Sequence, residues 1–122
     1  MLSVLLALHL ALPCDPALSP AQDFDRTEVA TRFIRAYNAG SGSAVDQIMV
    51  SDGALRASDD RFAITGGAIA QLIDTAELGD YRIRSTIQFG EQVAIAADVD
   101  DEQHLLVFEF DGRCIKTVIF FL

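Results

Sequence analysis

YRIRSTIQFGEQVAIAADVDDEQHLLVFEFDGRCIKTVIFFL, residues 81–122, is the stretch on which the fold turns. Its apolar residues recur at every second position. Tyr81, Ile83, Ile87 and Phe89 alternate with Arg82, Arg84, Thr86 and Gln88, which predicts a strand with one wet face. Gly90-Glu91 turns the chain into a second strand over 92–99, and Asp100-Asp101-Glu102 makes an acidic turn. Residues 103–110 and 113–122 follow, joined by Asp111-Gly112, a two-residue hairpin signal. These last two strands are apolar on both faces, so something is expected to cover each side.

Working back from that meander, the period lengthens to that of a helix. Ala30, Phe33, Ile34 and Tyr37 recur at i, i+3, i+4 and i+7, with Asp25 as cap, Glu28 completing a capping box and Gly40 as the left-handed stop. Ser43 is the expected cap of a second, shorter helix that turns Val45, Ile48 and Met49 inward. Ser51-Asp52-Gly53 reads as a turn, and Asp59-Asp60 as the tip of a hairpin of two very short strands. Thr65 opens a third helix carrying Ile69, Leu72 and Ile73, closed by Gly79-Asp80. The expectation is a single α+β domain from Arg26 to Leu122, three N-terminal helices packed on a curved, mainly antiparallel sheet.

The chain has 122 residues, one domain's worth, and 51% hydrophobic residues, enough for a core. A formal net charge of −9 argues against nucleic acid, whose phosphates are met by Lys and Arg, and against anionic lipid surfaces. Two histidines and two cysteines, far apart, give no zinc-ligand spacing, and no cofactor motif is present. A lone cysteine pair is no disulfide framework. Cys114 reads as an inert, half-buried thiol.

Residues 1–12, MLSVLLALHLAL, form an apolar run too short to span a bilayer. With the polar, turn-rich stretch after it, and Ser19 and Ala21 where a signal peptidase reads small residues, 1–21 is expected to be a secretory signal peptide, cut before Gln22. No Lys or Arg precedes the apolar run, and Pro13 before Cys14 speaks against lipidation. A packed helix over 2–12 is the other reading. Export implies a periplasmic or secreted domain over 22–122, free of the membrane once the leader is gone, with Cys114 left unpartnered.

Helix, helix, short hairpin, helix and four-strand meander resembles the nuclear transport factor 2-like superfamily, which includes the ketosteroid isomerases and the SnoaL-like polyketide cyclases. FIRAYNAG at 33–40, TGGAI at 65–69 and FEFDGRCIKTVIFFL at 108–122 look like that family's first-helix stop, third-helix entry and final hairpin. The resemblance covers nearly the whole chain from Arg26 and marks architecture, since this fold hosts unrelated functions. It implies a cystatin-like cone, a pocket between sheet and helices, and a homodimer through the outer sheet face. The isomerase roles, a general-base Asp with a Tyr and a protonated Asp at the oxyanion, fall on or near Ala57, Phe33 and Leu106, so none of the three is filled.

Other residues are weighed one by one. Tyr37, on the apolar helix face, either reaches into the pocket or is a core tyrosine with its hydroxyl at the rim. His104, in phase with Leu106, Phe108 and Phe110, is of the type suited to general-base work, or is a surface histidine beside an acidic turn. Asp59 and Asp60 would point to opposite faces of a strand, so a solvated turn is the plainer reading. Glu109, alone in an apolar strand, needs a partner such as Lys116 or an Arg of the 82–84 stretch. Two readings stay open. One is a noncatalytic binding or accessory module with an apolar pocket lined by Phe33, Tyr37, Met49, Leu106 and Phe108. The other is a cofactor-free SnoaL-like lyase, isomerase or hydrolase acting on a small hydrophobic molecule through Tyr37, Asp59 and His104.

Overall fold

A computed structural model of the chain describes residues 13–18 and 25–122. Of the expected leader, 1–21, the apolar run 1–12 and the cleavage position around Ser19 and Ala21 lie outside those residues. After a short 3-10 turn, Pro16–Leu18, the elements are α1 (Arg26–Ala39), α2 (Gly42–Asp46), β1 (Met49–Ala57), β2 (Ala63–Thr65), α3 (Gly67–Thr75), β3 (Arg82–Phe89), β4 (Gln92–Val99), β5 (Glu102–Asp111) and β6 (Cys114–Phe121). The strands form one curved, unclosed sheet in the order β2-β1-β6-β5-β4-β3. The third helix therefore follows the first hairpin, and the sheet holds six strands.

Local chemistry explains the ends of α1. The Asp25 carboxylate accepts from the backbone N–H of Thr27 and Glu28, and Gly40 closes the helix at φ 67°. The second helix begins two residues earlier than expected, because the hydroxyl of Ser41, not Ser43, accepts from Ala44 N–H. Gly66, at φ 62° and ψ −140°, takes the place of Thr65 as the lead-in to α3, a backbone region open to glycine alone. That helix ends at Thr75, ahead of Gly79.

The largest departure from expectation lies at Ser51-Asp52-Gly53. These residues do not turn the chain. They form a bulge inside β1, which pairs in parallel with β6, Met49 opposite Ile115 and Ala54 opposite Thr117. Gly53 fits closely there, since a Cβ would lie 3.0 Å from Met49 Cε and 3.1 Å from the Lys116 carbonyl oxygen. The β1–β2 hairpin appears as expected, with Asp60 at φ 63° in its tip. In the last hairpin the two-residue loop is Gly112-Arg113, because Asp111 still pairs with Cys114.

Val93, Ile95, Leu106, Phe108 and Val118 face α1, where Ala30, Phe33 and Ile34 meet them in the core. Phe33 and Phe108 pack edge to face, 5.5 Å between ring centres. The sheet register carries a second apolar row onto the opposite face, where Ile119, Val107, Ala94 and Ile87 are successive partners across four strands. Ile87 and Phe89 are 60% and 48% exposed. The alternation in β3 thus marks the outer sheet face and not the core, and a register shift between Ile83 and Ser85 interrupts it. Among the described residues Glu109 takes neither a lysine nor an arginine as salt-bridge partner. Its carboxylate accepts from the Gln92 side-chain amide at 3.2 Å.

Cys114 is not the free, half-buried thiol expected from the sequence. It is bonded to Cys14, with 5.9 Å between the Cα atoms, and both cysteines are in that bond.

Candidate functional site

A cavity of about 280 Å³ opens between α1, α3 and the end of the sheet where β6 finishes and β5 begins. Leu55, Phe62, Ile64, Leu72, Leu78, Phe120 and Leu122 make its apolar wall, and Tyr37, Tyr81 and His104 are its polar side chains. Among the described residues no acidic side chain lines it.

Each polar group is placed by a different element. Tyr37 lies in the last turn of α1, its ring 5.2 Å from that of Tyr81 and 6.5 Å from that of Phe120. Tyr81 stands just before β3 and is positioned by Asn38. The Asn38 side-chain N–H donates to the Tyr81 carbonyl, and the Tyr81 backbone N–H donates to the Asn38 side-chain oxygen, both at 2.8 Å. One amide thus treats residue 81 as a neighbouring strand would. His104 comes from β5 on the same face as Leu106, and its Nδ1 lies 2.8 Å from the Tyr81 hydroxyl.

Burial pushes the ionisation of both tyrosines upward. For Tyr81 the loss of water is the main cause, with Tyr37 and Glu102 adding charge repulsion against a phenolate. Tyr81 therefore keeps its proton. With the imidazole proton on Nε2, the Tyr81 O–H donates to Nδ1. In the other tautomer Nδ1–H donates to the Tyr81 oxygen, and the hydroxyl proton turns toward the cavity. The pair can thus present either a donor or an acceptor to a neutral guest.

The candidates read from the sequence divide. Tyr37 and His104 come together in the cavity wall. Asp59 stays outside, in the β1–β2 turn, where its carboxylate is held by the Arg61 guanidinium at 2.6–3.1 Å and by the Arg61 backbone N–H at 3.2 Å. Arg61 holds the Asp59 carboxyl below the usual carboxylate range. Phe33, Met49, Leu106 and Phe108 are on the expected inner side but lie in the packed core, where their side chains fill space and do not border the cavity. Phe33, Ala57 and Leu106, the positions of the isomerase roles, are all buried among apolar side chains. Tyr81 and Asn38 were not singled out from the sequence. The signal for Tyr81 was an aromatic just ahead of a strand, and for Asn38 a buriable amide next to a helix stop.

A wider cleft of about 540 Å³ at the other edge of the sheet is lined by Asp80, Arg82, Arg84, Asp98, Asp100, Asp101 and Gln103. Arg84 and Arg82 both face Asp98, at 2.9 and 3.7 Å, so its charges answer one another in a solvated surface. Among the described residues no three His, Cys, Asp or Glu side chains converge as metal ligands.

Neither a family model nor a curated protein matches the sequence. Solved structures match the fold. An uncharacterised cystatin-fold protein from Novosphingobium aromaticivorans is 18% identical, with a TM-score of 0.70 over 82% of this chain and 100% of its own. An NTF2-like protein of unknown function from Cytophaga hutchinsonii is 9% identical at a TM-score of 0.65, over 82% and 91%. An LEH-like epoxide hydrolase from M. tuberculosis is 18% identical at 0.64, over 79% and 80%. The fold is the cystatin-like cone of these cystatin-fold and NTF2-like structures.

Proposed function

We propose that this nuclear transport factor 2-like domain is an exported binding module that holds a small, neutral, mostly apolar molecule in its cone cavity. The observation that carries the reading is the cavity wall, apolar side chains broken by two tyrosines and a histidine. An apolar body gains by leaving water. One hydroxyl or carbonyl on the guest meets the Tyr81–His104 pair. Among the described residues the lining holds no Lys or Arg, so a carboxylate would lose its hydration with no permanent cation to replace it. The apolar row on the outer sheet face supports a homodimer formed through that face.

The two tyrosines are the only ones in the chain, which has no tryptophan, so tyrosine emission reports on the cavity directly. Titration with octanol is expected to change that emission saturably, and octanoate to bind at least about tenfold more weakly. Tyr81→Phe, which keeps the ring and removes the hydrogen bond, lowers octanol affinity about fivefold. Equal binding of the alcohol and the carboxylate, or no saturable response to octanol, would contradict the reading.

The Tyr81–His104 hydrogen bond favours a second reading, a cofactor-free lyase, isomerase or hydrolase in which the pair relays a proton to a small hydrophobic substrate. Turnover of a bound guest, abolished by His104→Gln with binding retained, would put this reading first.

A further inference from the structure

We infer that Cys14 belongs to the mature protein as the anchor of a covalent strap, and that any removal of the apolar leader cuts ahead of Cys14 and not before Gln22. The inference rests on the exported half of the reading above and goes beyond it. Residues 13–18 are built into the domain at three points. The Cys14 sulfur is bonded to that of Cys114, which is fully buried at the start of β6. The Cys14 backbone N–H donates to the carbonyls of Asp46 and Met49, both at 2.9 Å, where α2 passes into β1. Pro16 lies over Gly112 so closely that a Cβ at 112 would sit 3.3 Å from its own Cβ.

Cutting before Gln22 would remove all three contacts and leave a buried thiol at Cys114. A leader cut there and this strap exclude each other. The strap also lies far from the cavity. Cys114 opens β6 and Phe120, in the cavity wall, lies near its end, roughly 20 Å away at the rise of an extended strand. The strap therefore fastens the end of the cone opposite the pocket and leaves the pocket free.

Forming the bond takes two electrons and two protons from the Cys14 and Cys114 thiols and joins the sulfurs. The acceptor is a disulfide-donating protein of the exporting compartment, whose own disulfide is reduced to a dithiol. The test is expression of the full chain in a Gram-negative host, with both cell fractions quenched in N-ethylmaleimide at harvest and read by intact mass. The expected periplasmic species begins at or before Cys14, carries no maleimide adduct, and takes two adducts once denatured and reduced. A periplasmic species that begins at Gln22, or one that carries two adducts before reduction, overturns the strap and leaves export standing. A chain found only in the cytoplasm with both thiols alkylated overturns export and strap together.

Discussion

Tyr81 is fixed by three hydrogen bonds from two distant parts of the chain, two to the Asn38 amide and one to His104. Its backbone neighbours alone say little about this. The alternation of residues 81–89 assigns Tyr81 a face, but its role depends on Asn38, 43 residues away. His104 was legible for the opposite reason, since its phase with Leu106 and Phe108 is local. Periodicity, helical or alternating, gives direction and not depth, which is why Phe33 and Phe108 fill the core while Tyr37 reaches the cavity. At this scale the two tyrosines make a pH prediction. Burial raises their ionisation above the ordinary tyrosine value of 10.0, so the folded chain holds these protons more tightly than the unfolded chain. That contribution to stability is complete below pH about 10 and is lost as pH rises beyond it, where the unfolded tyrosines ionise first. Phenolate absorbance followed against pH should rise later for the native protein than for the protein in urea. Coincident curves would show that neither hydroxyl is shielded.

Among the elements, α1 and strands β4 to β6 were legible because each carries its own period and punctuation. The first strand was not. Its nine residues include Asp52 and Gly53, poor strand formers that the sequence offers as a turn. Only the distant β6, paired in parallel, makes them a bulge. The short helix α2 was legible in outline but not in its packing. Gly42 donates its N–H to the Asp74 carboxylate at 2.7 Å, and a Cβ on it would overlap the Ala70 backbone of α3. Gly42→Ala is therefore expected to push α3 off α2 and to cost about 1–3 kcal/mol, the range for overpacking a close contact. Urea unfolding would read it. A loss below about 0.5 kcal/mol would mean that the two helices separate freely.

For the whole molecule, two features hold or extend the cone beyond its core. The disulfide spans 100 residues of sequence, and closing so long a loop is worth on the order of 4–5 kcal/mol in the chain-entropy account. It was hidden from the sequence because Cys14 sits within the segment that reads as a leader. The outer sheet face was legible as an excess of apolar residues in the last two strands, and its register adds Ile87 to that row. Sedimentation at micromolar concentration is expected to give a dimer. Ile87→Lys, at a position 60% exposed and so costing little in the single chain, should give a folded monomer. A monomeric parent protein would remove the pairing surface from the account.

The binding reading places a neutral apolar guest in the cavity between α1, α3 and the sheet. Methyl-resolved NMR of the protein titrated with octanol tests it most directly. Shifts are expected at Leu55, Ile64, Leu72 and Leu78, with Val93 in the core and Ile87 on the outer face unmoved. Shifts confined to Ile87 and Ile119, or none at all, would contradict it.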